Sequence, residues 1–291
     1  MLGGALLAPP LYWLGRWLVD TDTIPQLAQF PFHRYFNRAV MLVTLALLWP
    51  FLRWIGIRRW TDLGLAPNPK RWRHLATGIV TGLVGLWLVA LMVLLTDRAE
   101  LRAQWPWLKI LGAAGTATIV PIIEETFFQG ALLGALRRHL TWQKALLFLA
   151  LVFATVHFLK PHPQVRDMQA VTWLSGFALV PGAFWQFGEP QLLVGQWTTL
   201  FLVGLVLAYT VVRTRSLYMA AGLHAGWVFA LRSFYFASRR LAEPDWWFGR
   251  ELITGLAPIA LVLATGLALR AYLNAQSQPA VAGAREGLVR E

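Results

Sequence analysis

The sequence predicts an all-α protein, a polytopic transmembrane helical bundle of about eight spans. Three observations predict it. Hydrophobic residues make up 57% of the 291 residues and charged residues only 14%, with a mean hydropathy of +0.52. Apolar runs of about 15 to 22 residues recur along the chain with short polar breaks between them, close to the length a helix needs to cross a bilayer. Many of the 16 tryptophans, among them Trp13, Trp17, Trp49, Trp54, Trp105 and Trp107, stand near the ends of runs, where the indole favours the headgroup layer.

The runs fall near 2–19, 38–53, 75–95, 108–136, 143–160, 199–213, 217–232 and 252–271. The first has no basic leader and no convincing cleavage site, and it contains Pro9, Pro10 and Arg16. It therefore reads as a retained span rather than a signal peptide. Between the second and third runs, Arg53, Arg58, Arg59, Lys70, Arg71 and Arg73 face a single Asp62, which marks a cytoplasmic loop by the positive-inside rule. Alternation then puts Arg137 to His139 with Lys144, the Arg213/Arg215 turn, Arg270 and both termini on the cytoplasmic side. The stretch VTWLSGFALVPGAFWQF, 171–187, would invert that pattern as a ninth span, so it is expected to be re-entrant or interfacial. Residues 1–274 are read as one integral-membrane domain, with a motif-bearing core of about 108–232, and 275–291 as a disordered cytoplasmic tail. Compact loops and a cysteine-free chain fit an inner (plasma) membrane protein.

Composition also excludes chemistry. With no cysteine there is no disulfide, no thiolate metal site and no cysteine nucleophile. The net charge of +12 sits in short clusters at the ends of apolar runs and is not interleaved with aromatic residues on a polar face. It reports membrane orientation rather than a nucleic-acid partner.

Against this background, Glu124 and Glu125 stand out within TATIVPIIEETFFQGALLGALRR, 116–138. An ionisable side chain near the centre of a spanning helix costs roughly 2.5–3.5 kcal/mol on insertion scales. Neighbouring helical residues diverge by about 100°, so the two carboxylates need separate polar partners. A lone intramembrane carboxylate is as readily a structural polar knot as a functional group. Here, however, His157 in LVFATVHFLK and His224 in MAAGLHAGWVFALRS each lie inside a further apolar run. At ~1.5 Å per residue, Glu124 lies ~20 Å from the Arg137 end, His157 ~20 Å from the start of its span and His224 ~10 Å from Leu217. Three spans thus bring Glu, His and His to the middle or cytoplasmic half of the membrane. His33, His74, His139 and His162 fall in loops or at span ends.

At these residues the sequence resembles the CPBP intramembrane proteases, the family of the CAAX endopeptidases and the bacterial Abi or bacteriocin-self-protection proteins. The family pattern places EExxxR, FxxxH and HxxxN on three separate transmembrane helices. In this chain EETFFQ (Glu124 to Gln129), FATVH (Phe153 to His157) and HAGWV (His224 to Val228) stand at those places. The first two spans lie outside the resemblance.

The resemblance implies an intramembrane endopeptidase in which Glu124 is the general base on a water that His157 also holds, while His224 stabilises the oxyanion. Elementary chemistry fits that division, since amide hydrolysis near neutrality needs an activated water and preplaced donors for the oxyanion. The chain departs from the pattern twice. Gln129 replaces arginine, four residues after Glu125 and so expected to face it, which makes an ion pair into a neutral hydrogen bond. Val228 replaces the asparagine whose amide assists the second histidine, and the neighbouring Trp227 carries an N–H that is a candidate substitute.

Other readings stay open. Glu124, His157 and His224 would also make a three-ligand zinc site with an open position, although the resemblance implies a metal-free mechanism without a cofactor. A catalytically impaired scaffold or immunity-type binding protein would explain Gln129 and Val228. A proton-coupled transporter would also place Glu and His in the membrane, but the internal repeat it predicts is absent from the sequence. The implied partners are membrane lipid and a peptide or lipidated-protein substrate. Neither the substrate nor the oligomeric state is encoded in a readable motif.

Overall fold

The computed structural model describes residues 1–59, 68–159, 170–249 and 251–277. Asp62, His162 and the segment 278–291 of the expected tail lie outside the described residues. Among the described residues the regular secondary structure is helical apart from a two-stranded ribbon. In chain order the elements are α1 (Leu2–Asp20), α2 (Phe32–Trp54), α3 (Arg71–Leu95), β1 (Ala99–Leu101) and α4 (Trp107–Glu125). A π-helical segment, Thr126–Leu132, joins α4 to α5 (Leu133–Leu136), and α6 (Trp142–Phe158) and α7 (Ser175–Gly182) follow. A second π segment, Leu193–Trp197, joins α8 (Pro190–Leu192) to α9 (Thr198–Thr214), ahead of α10 (Tyr218–Ala237), β2 (Ser238–Arg240) and α11 (Leu256–Ser277).

Each apolar run read from the sequence forms a helix. Among the described residues five helices are long and apolar enough to cross a membrane: Phe32–Trp54, Arg71–Leu95, Trp107–Leu136, Pro190–Thr214 and Leu256–Gln276. The protein is a multi-pass membrane protein. α1, α6 and α10 have 19, 17 and 20 residues, and α10 is made less apolar by His224, Arg232 and Ser233. Within 171–187, α7 has 8 residues, a rise of ~12 Å that falls well short of the ~30 Å hydrocarbon layer. It packs on α1, where a Cβ at Gly176 would overlap the Ala5 carbonyl.

The helices form two packed groups. α3, α6, α9, α10 and α11 enclose the main core around Leu86, Val89, Leu149, Phe153, Leu207 and Leu223. α1, α2 and α7 share a smaller one built on Ala5, Ala8, Phe32, Phe36, Ala39 and Leu179. The contact that sets the site is between α3 and α10. Gly78 and Gly82 of α3 lie against the α10 backbone, and Gly222 and Gly226 of α10 against that of α3. A Cβ at Gly222 would overlap the Leu75 carbonyl oxygen, and one at Gly82 the Leu223 carbonyl oxygen. Small residues four apart let two membrane helices approach to backbone contact and gain dispersion energy that bulkier side chains would prevent. His224 lies two residues from each glycine of GLHAG, about 200° around the helix. Clamping α10 to α3 therefore turns His224 away from α3 and toward α4.

At the far ends of α3 and α10 the strands β1 and β2 pair antiparallel, Ala99 opposite Arg240 and Leu101 opposite Ser238. This ribbon ties the two helices together a second time, reinforced by a 2.5 Å ion pair between Arg239 and Glu100.

Candidate active site

The site begins where α4 stops being regular. Glu124 and Glu125 are its last two residues, and the turn that follows is wound as a π-helix from Thr126 to Leu132. Such wide turns are uncommon and recur at functional sites, because the i→i+5 pattern re-aims the side chains around them.

Glu124 Oε2 lies 3.0 Å from His157 Nε2 and 3.8 Å from His224 Nε2. Glu125 is turned to the other side of the same histidine, with Oε1 2.9 Å from His224 Nδ1. Three helices thus bring two carboxylates and two imidazoles into one cluster. Its members differ in access: the Glu124 and His157 side chains keep 26% and 25% exposure, against 10% for His224 and 1% for Glu125. The outer pair can meet water, while the inner pair is held in the bundle.

The protons can be placed from the partners. His157 Nδ1 lies 2.8 Å from the Phe153 carbonyl oxygen, which only accepts, so Nδ1–H donates. His157 Nε2 therefore meets Glu124 with a single proton shared between ring and carboxylate. The Glu125–His224 contact likewise shares one proton, leaving His224 Nε2 turned toward Glu124. Phe153 contributes more than its carbonyl. Its ring is buried, with its centroid 4.1 Å from that of His157 and 6.4 Å from that of His224, and Phe128 packs edge-on against it at 5.1 Å. These rings leave the imidazoles little freedom to rotate.

The expected Glu125–Gln129 contact is not made. Gln129 is 2% exposed, and neither its Oε1 nor its Nε2 has a hydrogen-bond partner among the described residues. The reason is the π turn, since facing at i+4 presumes α-helical winding and the chain leaves that winding directly after Glu125. Glu125 pairs with His224 instead, a link that the sequence reading missed. Val228 is half-buried on α10. Trp227 is 7% exposed, belongs to the main core and has an Nε1 without a hydrogen-bond partner among the described residues.

Among the described residues no group of three or more His, Asp and Glu is arranged to hold a metal ion. Two ligands on one tetrahedral zinc at ~2.1 Å sit ~3.4 Å apart, whereas Glu124 and His157 are at hydrogen-bond distance, 3.0 Å.

A bundle of membrane helices that encloses a carboxylate and imidazole cluster defines the class, a multi-pass membrane protein with a polar intramembrane site. Residues 105–230 match the family model described as type II CAAX prenyl endopeptidase Rce1-like. The chain carries a domain of that family, the CAAX proteases of the CPBP group, and the match spans Glu124, His157 and His224. No curated protein and no solved structure matches the chain.

Proposed function

We propose that the protein is an intramembrane endopeptidase that hydrolyses a peptide bond with a water activated by Glu124 and His157. The observation that carries this reading is the position of Glu124 Oε2 between the Nε2 atoms of the two histidines, 3.0 and 3.8 Å away. For the attack, the proton of the Glu124–His157 pair rests on the ring and the carboxylate is free to act as base. A water that binds at the exposed edge of this pair gives a proton to Glu124, and its oxygen adds to the scissile carbonyl carbon.

The carbonyl oxygen becomes an oxyanion, and His224 donates to it from Nε2–H while Glu125 holds Nδ1. On collapse the C–N bond breaks and Glu124 returns its proton to the leaving nitrogen, which yields a carboxylic acid and an amine. No step uses a metal. Glu125 and Phe153 act as positioning groups, the first through His224 and the second through His157.

The substrate class is a membrane-held peptide or lipidated-protein segment. The assigned location is an inner (plasma) membrane with both termini cytoplasmic. A scaffold that binds such segments without cleaving them is the second reading, favoured by Val228, which offers no donor, and by the unpaired Gln129.

Full-length protein reconstituted in vesicles and incubated with a prenylated CAAX peptide and with unprenylated transmembrane peptides tests the assignment. The proposed chemistry predicts cleavage that persists in the presence of a zinc chelator. Binding without cleavage of any peptide supports the scaffold, and activity abolished by the chelator and restored by zinc supports the metal variant.

A further inference from the structure

At the end of the bundle that carries the β1–β2 ribbon, away from the Arg53–Arg73 loop, a cavity of about 1060 Å³ opens between the C-terminal end of α3, the N-terminal end of α4 and the C-terminal end of α10. Its wall is strongly basic, with Arg98, Arg102, Lys109, Arg232, Arg239 and Arg240, and Glu251 is its one carboxylate among the described lining residues.

Part of this charge is compensated. Arg98 pairs with Asp245 at 2.6 Å, Arg239 pairs with Glu100, and Arg240 binds the Ala242 and Gly249 carbonyl oxygens. Arg102 spends Nε on the Ser238 carbonyl at 3.1 Å and meets no carboxylate among the described residues. Lys109 and Arg232 form no hydrogen bond or ion pair among the described residues, and both are exposed to the cavity mouth. Three cations therefore converge on one cavity in which, among the described lining residues, Glu251 is the single carboxylate to set against them.

The surroundings place this cavity at the membrane boundary. Trp105 and Trp107 stack beside it with ring centroids 5.4 Å apart, and they are 41% and 70% exposed. Tyr235, Trp246 and Trp247 at the same end are 70%, 50% and 62% exposed. Aromatic side chains of this kind mark the headgroup layer. Arg232 lies five residues before the end of α10, ~8 Å deeper along the helix, where an unpaired guanidinium is costly. Its planar fork matches phosphate oxygens, and basic pockets between membrane helices bind anionic headgroups.

We infer that this cavity is a binding site for the phosphate of an anionic phospholipid, held by Arg102, Lys109 and Arg232, with the acyl chains lying along the exposed apolar faces beside it. The site is separate from the Glu124 cluster. Arg232 is eight residues beyond His224, ~12 Å along α10, so the lipid anchors the same helix that carries the histidine.

Native mass spectrometry of the detergent-solubilised full-length protein tests this, with phosphatidylglycerol, phosphatidylcholine or inorganic phosphate added separately. Retention of phosphatidylglycerol about tenfold above phosphatidylcholine is expected. The preference is lost in the double variant Lys109→Gln with Arg232→Gln, whose parent side chains are exposed and unpartnered, and is kept in Lys109→Arg with Arg232→Lys. Equal retention of the two lipids, or undiminished phosphatidylglycerol binding in the Gln variant, overturns the inference. Inorganic phosphate at millimolar concentration that displaces the lipid and alone raises the thermal midpoint equally overturns the lipid assignment in favour of a soluble anion.

Discussion

His224 Nδ1 lies 2.9 Å from Glu125 Oε1 while its Nε2 lies 3.8 Å from Glu124 Oε2, so two adjacent carboxylates grip opposite edges of one ring. A side-chain hydrogen bond involving a charged group contributes about 1.5–3 kcal/mol. Glu125→Ala is accordingly expected to lower kcat by about 10- to 150-fold, with KM little changed and the helix content intact. Glu125→Gln, which keeps an acceptor oxygen, should recover much of the loss. A Gln variant as impaired as the Ala variant, in a folded protein, would assign Glu125 a role through its charge rather than through orientation.

The glycine contact between α3 and α10 is tested by stability. Gly222→Ala drives a methyl group into the Leu75 carbonyl, backbone that cannot swing aside, and overpacking of this kind costs about 1–3 kcal/mol or more. A lower thermal midpoint and weaker cleavage are expected together, because His224 rides on the same turns. Gly115→Ala is the control, since nothing lies within 4 Å of the added carbon and alanine is the better helix former by about 1 kcal/mol. Equal midpoints for the two variants would refute the close-packing account.

Val228 stands one helical turn after His224 and so on the same side of α10. Val228→Asn adds an amide that can donate to the developing oxyanion, and a tenfold gain in kcat needs only about 1.4 kcal/mol of differential stabilisation. A fall in activity would mean that Val228 shapes the pocket and that another donor completes it. Trp227→Phe then becomes the variant to measure.

Orientation is directly accessible because the chain has no cysteine. Single cysteines at Asn68 and Gln276 should react with an impermeant maleimide only after the membrane is opened, and one at Ala103 should react from outside without it. The opposite pattern would invert the topology and put the basic cavity on the cytoplasmic side.

The parts of this structure that could be read from the sequence are those that follow from cost. Glutamates and histidines in apolar runs are expensive, so Glu124, His157 and His224 stood out, and the runs themselves located the helices. The pairing of Glu125 was hidden because it depends on the π turn at Thr126–Leu132, and i+4 reasoning assumes regular winding. The glycines at 78, 82, 222 and 226 did carry a readable signal, small residues four apart in two apolar runs. The extension of the α9 span back to Pro190 was masked by Glu189, Gln191 and Gln196, which dilute the hydropathy there. The basic cavity was invisible for a different reason, since its cations come from segments more than 120 residues apart that meet only once α3, α4 and α10 have packed and β1 has paired with β2.

The central claim is that the Glu124 carboxylate is the base that activates water. The most direct measurement is the cleavage rate of Glu124→Gln beside wild type, in vesicles, on whichever membrane peptide the wild type cuts. Glutamine preserves the size of the side chain and its contact with His157 but cannot take a proton, and a positioned acid–base group contributes about 10²–10⁴ in rate. A loss of that size in a variant that keeps the wild-type thermal midpoint is the predicted result. Cleavage within about threefold of wild type, far above that expectation, would contradict the account.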